Sequence, residues 1–219
     1  MRRLFLFCGL VLLSAVVAAA ASDPRTLISQ AADSLIVVIK EGKTYFDKDP
    51  QRFYASVEKV LDPTVDFDTF SRGVMAVYYK RATPAQRNQF ETTFKSGLIR
   101  TYGKALLDFG DESIVVLPAE RPSKQPDRDS VKMEVRSKEG KVYPVIYSMR
   151  LGEDGSWRMY NIIINGINIG LTYRNQFASA MNAPENKGSL DAVINGWGET
   201  IANIDPATQG TPESASGEE

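Results

Sequence analysis

Part-way along this chain of 219 residues the hydrophobic period changes from four to two, and that change restricts the fold more than any other feature. Phe90, Phe94, Leu98, Tyr102 and Leu106 recur at every fourth residue, which is one stripe of a helix. Thr83 can cap that helix, Pro84 suits its first position, and Gln86 completes a capping box. The pattern predicts a helix from Pro84 to Leu107, roughly 36 Å long. Beyond Gly110 the pattern alternates instead. Val131, Met133 and Val135 alternate with Lys132, Glu134 and Arg136, and Tyr143, Val145, Tyr147, Met149 and Leu151 form a second such set. A helix with one apolar stripe and a sheet with one apolar face each have to be covered, and covering one with the other gives an α+β fold.

Two turns set the expected register. Lys138-Glu139-Gly140 suits a hairpin with glycine in the left-handed position, pairing Val135 with Tyr143, Met133 with Val145 and Val131 with Tyr147. Asp154-Gly155 is a two-residue hairpin signal that places Met149 opposite Tyr160 and Tyr147 opposite Ile162. The expected apolar face is then Val131, Met133, Val135, Val145, Tyr147, Met149, Tyr160, Ile162 and Ile164. A slip of one residue would turn it inside out. The runs Ile114 to Leu117 and Trp157 to Ile164 bring the count to four strands. Further helices are expected from Pro24, over Pro50 to Val60, Phe67 to Tyr79 and Leu171 to Met181, and after a Ser189 cap. The loops Ala119 to Asp129 and Asn182 to Gly188 are the edges expected to move.

The ends read differently from the middle. Arg2 and Arg3, an apolar run from Leu4 to Val17, and Ala18 to Ala21 before Ser22 have the layout of a cleaved secretory signal over 1–21. Residues 22–205 are then one domain, and 206–219, rich in Thr, Gly, Ser, Pro and Glu, read as a disordered tail. Cleavage removes the one cysteine, Cys8, and leaves 24 basic side chains against 27 acidic. An exported chain without disulfides fits the bacterial periplasm. Its charge balance gives no footprint for nucleic acid, and a monomer is expected.

Most chemistry is excluded by composition. The chain has no histidine, so there is no Ser-His pair, no imidazole ligand and, with Cys8 removed, no thiolate. Asp66-Phe67-Asp68 reads as a helix cap rather than a metal site. Asp127-Arg128-Asp129 and Glu153-Asp154 read as solvated turns, and the glycines are scattered rather than grouped in a phosphate loop. No catalytic residue, metal or cofactor is assigned. What remains is an interior rich in Met, Tyr and Phe. Pattern alone leaves open whether it is a filled core or a site for an apolar ligand.

Three stretches bear on that choice. They are Gly155-Ser156-Trp157-Arg158-Met159-Tyr160-Asn161-Ile162, then Asn165-Gly166-Ile167-Asn168-Ile169, then Tyr173-Arg174-Asn175-Gln176-Phe177. With Tyr79-Lys80-Arg81-Ala82-Thr83-Pro84 and Gln86 to Phe90 upstream, they resemble the signature of the MlaC family of periplasmic phospholipid-transport proteins. Asn161, Asn165 and Asn168 depart from the family's usual Asp, Glu and Ser. The resemblance implies a nuclear-transport-factor-like fold whose sheet and helices enclose a lipid pocket, with phospholipid as cargo. It implies two partners, an outer-membrane lipoprotein–porin complex and an inner-membrane ABC transporter with a substrate-binding ring. The candidate pocket comprises the nine sheet residues above with Val74, Tyr78, Phe90, Phe94, Leu98, Tyr102, Leu106 and Phe177. Arg150 and Arg174 are candidate headgroup contacts. Two other classes stay open. One is an isomerase-like enzyme pairing Asp108 with Tyr102, or Tyr147 with Tyr160; the other is a periplasmic chaperone or adaptor.

Overall fold

The computed structural model describes residues 23–109, 112–121 and 123–202. The signal segment and the tail lie outside them. Four helices come first: α1 (Pro24–Gly42), α2 (Pro50–Leu61), α3 (Phe67–Met75) and α4 (Pro84–Leu106). Five strands follow: β1 (Ser113–Val116), β2 (Arg128–Arg136), β3 (Val142–Leu151), β4 (Trp157–Ile164) and β5 (Ile167–Asn168). Helices α5 (Ile169–Asn182) and α6 (Leu190–Ala202) close the chain. No helix among the described residues is long and apolar enough to cross a membrane.

The helix starts follow from local chemistry. The backbone N–H of Gln86 donates to Thr83 Oγ1 at 3.2 Å and that of Thr83 to Gln86 Oε1 at 2.9 Å, the reciprocal capping box. Asp66 caps α3, accepting from the Thr69 backbone at 2.9 Å. The helix expected over Phe67 to Tyr79 is α only to Met75 and continues as a 3-10 turn from Ala76 to Lys80. The break falls at Ala76, whose φ of 49° and ψ of −120° are strained for a residue with a Cβ.

The strands form one antiparallel meander in chain order, with β1 and β5 at its edges. The β2–β3 register is the expected one: Val135 faces Tyr143, Met133 faces Val145 and Val131 faces Tyr147. Gly140 stands at φ 82°, as that turn requires. Between β3 and β4, Tyr147 faces Ile162 as expected, but the register shifts after Ser148 and Met149 faces Met159, not Tyr160. A bulge inserts one extra residue, so two residues of β4 stand against one of β3. Two further expectations are corrected. The sheet has a fifth strand, made by an Asn165-Gly166 turn with φ 50° and 86°, the mirror-image turn that suits a hairpin. Asp129 is not a solvated turn residue but part of β2, half-buried and ion-paired with Arg25 of α1 at 3.0 Å.

Helix α4 is covered on two sides. Phe90 and Phe94, both 0% exposed, enter the main apolar cluster with the sheet, α3, α5 and α6. On its other side Ile99 joins Phe53 and Val57 in a smaller cluster with α1 and α2. That side was not part of the expected stripe. Close approach of helices is met by glycine: a Cβ on Gly97 would lie 2.4 Å from Ile201 Cδ1 of α6, and one on Gly42 would lie 2.4 Å from Phe53.

Candidate functional site

The inner face of the sheet is read from its register. Ile114 stands opposite Val135 and Val116 opposite Met133, so β1 adds both to the face that carries Val131. Across β3, Ile162 and Ile164 stand opposite Tyr147 and Val145. Below the bulge Met159, 8% exposed, takes the inward place expected of Tyr160. Tyr160 packs beneath the Arg128 guanidinium, 5.1 Å from its ring centroid, and belongs to neither apolar cluster. Arg128 is out of phase with Val131 along β2, so this contact lies on the outer face.

The layer between helices and sheet has two parts. The first is sealed by aromatic rings. Phe90 stacks on Phe94 with centroids 5.7 Å apart, and Phe177 and Trp197 stand 5.0 and 5.4 Å from Phe90. Phe94 meets Phe70 at 5.2 Å and Tyr173 at 5.4 Å, and Tyr78 lies against Phe177 at 5.8 Å. Val74 and Met149 are buried in the same cluster. The second part is not sealed. Leu98 and Tyr102 of α4, Ile114 and Val116 of β1, Tyr147 of β3, and Ile162 and Ile164 of β4 all pack against the cluster yet keep accessible surface. Met133, Val135 and Val145, between them on the sheet, are buried. Leu106 is half-buried at the end of α4 and belongs to neither cluster.

Tyr147 shows what kind of surface this is. Burial pushes its hydroxyl far above the ordinary tyrosine pKa, so protein surrounds it. Among the described residues its hydroxyl makes one polar contact, a weak donation to Met133 Sδ at 3.7 Å. Its hydroxyl is thus desolvated while the side chain as a whole is only half-buried. Burial also raises the hydroxyls of Tyr102 and Tyr173, which face each other without completing a hydrogen bond. Gln176 Oε1 and Trp197 Nε1 are buried nearby on α5 and α6 without hydrogen-bond partners among the described residues. Apolar walls carrying a few polar atoms suit an amphipathic ligand's apolar part.

The other candidates are placed as follows. Arg150 donates to Thr69 Oγ1 at 2.5 Å and pairs with Asp66 Oδ2 at 3.1 Å, which commits it to the start of α3. Arg174 is exposed on α5 and forms no ion pair among the described residues. The enzyme pairs are not assembled: Tyr147 and Tyr160 occupy opposite faces, and Asp108 is exposed beyond α4 while the Tyr102 hydroxyl is buried. Glu91 has a raised pKa, through burial first and then Asp68, but it stands beside Asp66, Asp68 and Lys95 rather than in the layer. No group of three or more acidic, His or Cys side chains among the described residues is placed to hold a metal.

Asn161 and Asn168 have a clear structural role. Asn168 Oδ1 caps α5 by accepting from the Leu171 backbone at 3.0 Å, and it also accepts from Asn161 Nδ2 at 3.1 Å. Asn161 Oδ1 accepts from the Gly170 backbone at 3.0 Å. The pair ties β4 to the start of α5 without charge. Asn165 is the left-handed turn residue before β5.

Comparison with known proteins agrees with this architecture. The family model described as MlaC protein matches residues 29–199. The toluene tolerance protein ttg2D of Pseudomonas putida is 38% identical over 207 residues, covering 93% of this chain and 94% of that protein. The intermembrane phospholipid transport system binding protein MlaC of Haemophilus influenzae is 25% identical over 155 residues, covering 69% of this chain and 72% of that one. Among solved structures, a phospholipid-binding protein from Ralstonia solanacearum in complex with a phospholipid superposes with a TM-score of 0.73 at 25% identity. It covers 83% of this chain and 98% of that one. With most of its length matched by the family model and a curated relative matched nearly end to end, the chain belongs to the MlaC family.

Proposed function

We propose that this protein is a periplasmic phospholipid carrier that takes up acyl chains between α4 and the sheet. The observation that carries the reading is the unsealed half of the inner layer, from Leu98 and Tyr102 across to Tyr147, Ile162 and Ile164. The likeness to a phospholipid-bound neighbour supports it. The energetics suit a carrier. Each methylene moved from water to an apolar site is worth ~0.8 kcal/mol, so a chain of about 16 carbons gains on the order of 12 kcal/mol. Walls comparable to the bilayer interior are enough, with the headgroup left in water. In this reading the carrier moves lipid between an outer-membrane lipoprotein–porin complex and an inner-membrane ABC transporter with a substrate-binding ring. In doing so it maintains the lipid asymmetry of the outer membrane. No step uses a catalytic residue or a resident cofactor.

The test is transfer of a fluorescent phospholipid from donor to acceptor vesicles by the mature protein. Transfer should be proportional to protein concentration and should fall at least tenfold in Leu98→Trp, which fills the hollow. Transfer no faster than without protein refutes the carrier role.

A further inference from the structure

Two Asn-Gly pairs occur in this chain, Asn165-Gly166 and Asn195-Gly196, and all four residues are exposed. The dipeptide has a chemistry of its own. Glycine lacks a Cβ, so its backbone nitrogen can approach the carboxamide carbon of the preceding asparagine with little hindrance. Exposure does not distinguish the two sites; the backbone does.

Asn195 lies inside α6. There the Gly196 N–H is taken by the helix ladder, and the helical backbone holds the ψ of Asn195. Its side chain is held as well, since Asn195 Oδ1 accepts from Gln89 Nε2 of α4 at 2.7 Å. Asn165 lacks these restraints. With Gly166 it forms the whole turn between β4 and β5, at φ 50° and 86°. Its own N–H donates to the Pro144 carbonyl at 2.8 Å, but its side chain and the Gly166 N–H form no hydrogen bond among the described residues. The strand beyond the turn pairs only through Ile163 with Asn168 and Ile164 with Ile167. Rotation about the Asn165 ψ, which brings the Gly166 nitrogen to the side chain, therefore disturbs few contacts.

We propose that Asn165 is a site of spontaneous covalent modification, converting to aspartate and isoaspartate through a succinimide formed with Gly166. The Gly166 nitrogen loses its proton to solvent base and attacks Cγ of Asn165. The Cγ–Nδ2 bond breaks, and ammonia leaves. Water then opens the ring. Attack at Cγ gives aspartate on the original backbone; attack at the main-chain carbonyl carbon gives isoaspartate, with the chain running through the side chain. No oxidant, reductant or cofactor enters. The two products differ in consequence. Aspartate adds a negative charge and keeps the length of the turn. Isoaspartate adds a methylene to the main chain, so the turn no longer fits its register. Three residues on stands Asn168, whose Oδ1 caps α5 and accepts from Asn161 Nδ2. Isoaspartate at the turn therefore loosens the junction of β4 with α5.

Peptide mapping by mass spectrometry tests this on the folded mature protein, held at neutral and at mildly alkaline pH. Asn165 should convert at least tenfold faster than Asn195, and faster at the higher pH, because the attacking nitrogen has to lose a proton. In urea the two sites should convert at similar rates, which assigns the difference to the folded backbone. Equal rates in the folded protein, or no conversion at Asn165 under conditions where the unfolded chain converts, overturn the proposal. Treatment with an isoaspartate methyltransferase then identifies the isoaspartate product. In that form the amides of Gly170 and Leu171, which donate to Asn161 and Asn168, should exchange faster with solvent than in the parent, whereas N165D should match the parent. Equal exchange in all three would overturn the coupling to α5.

Discussion

Phe94 and Leu98 lie one turn apart on the same stripe of α4, yet the structure gives them different surroundings. Phe94 is 0% exposed and touches rings on three sides, whereas Leu98 keeps accessible surface on the unsealed side. Phe94→Ala should therefore cost about 3–5 kcal/mol, the range for emptying a fully packed aromatic site. For a domain of this size that lowers Tm by roughly 6–20 °C. Leu98→Ala removes three carbons, worth ~0.8 kcal/mol each if fully buried. Because Leu98 is only partly buried, and on the proposed carrier reading its free surface lines the lipid site so that no new cavity is created, its cost should be only about 1–1.5 kcal/mol. Urea unfolding of the two variants and the parent, compared at constant m-value, measures the difference. If Leu98→Ala costs as much as Phe94→Ala, the layer is filled throughout, and the argument for a hollow at this turn fails.

Other consequences follow from single contacts. Tyr147→Phe should change stability by less than about 1 kcal/mol, because the hydroxyl gives up only a weak contact to sulfur; a loss above 2 kcal/mol by urea unfolding would mean that a stronger partner exists. Tyr102, Tyr147 and Tyr173 all have raised pKa values through burial, so their neutral forms favour the folded state. That contribution is complete below the unfolded tyrosine pKa of about 10 and declines as pH rises above it, by up to ~1.4 kcal/mol per pH unit for each. Alkaline titration followed at once by tyrosinate absorbance and circular dichroism should show the last tyrosines ionising only as the chain unfolds; complete ionisation of a still folded chain would contradict their burial. Asp66→Ala removes the α3 cap and the partner of Arg150, and should cost about 1–2 kcal/mol in thermal or urea unfolding. Gly170→Ala would bring a Cβ within 2.4 Å of Asn161 Oδ1, and should destabilise more than the same change at Gly73, where a Cβ meets nothing within 4 Å.

Some of this was open to sequence reasoning for definite reasons. The Lys138-Glu139-Gly140 turn counts residues, so it determines which β2 and β3 side chains meet. The capping box at Thr83 and Gln86 sets where α4 starts because two adjacent side chains supply both bonds. The bulge near Met149 escaped because Met159 and Tyr160 are both apolar, and the alternation reads equally well in either phase. The β5 turn did leave a signal, Asn165-Gly166, but the two-residue strand after it is too short to show a period. The Arg25–Asp129 pair joins positions 104 residues apart, and no local pattern encodes it. The same limit applies to the site. The period of α4 treats Phe94 and Leu98 alike, and only the arrival of Phe70 and Tyr173 from α3 and α5 separates a sealed side chain from one that keeps accessible surface. The charge of Arg150 makes it a headgroup candidate in the sequence, whereas its engagement by Asp66 depends on where α3 meets the sheet.

The central claim, an interior that holds phospholipid, is tested most directly by purifying the mature protein from a Gram-negative periplasm without detergent. Its organic extract is then analysed by mass spectrometry. The account predicts phospholipid at a stoichiometric ratio to protein, with the number of acyl chains reporting the size of the hollow. An extract without lipid, from a chain that unfolds cooperatively and binds no added phospholipid, would contradict it and leave the layer between α4 and the sheet as an ordinary core.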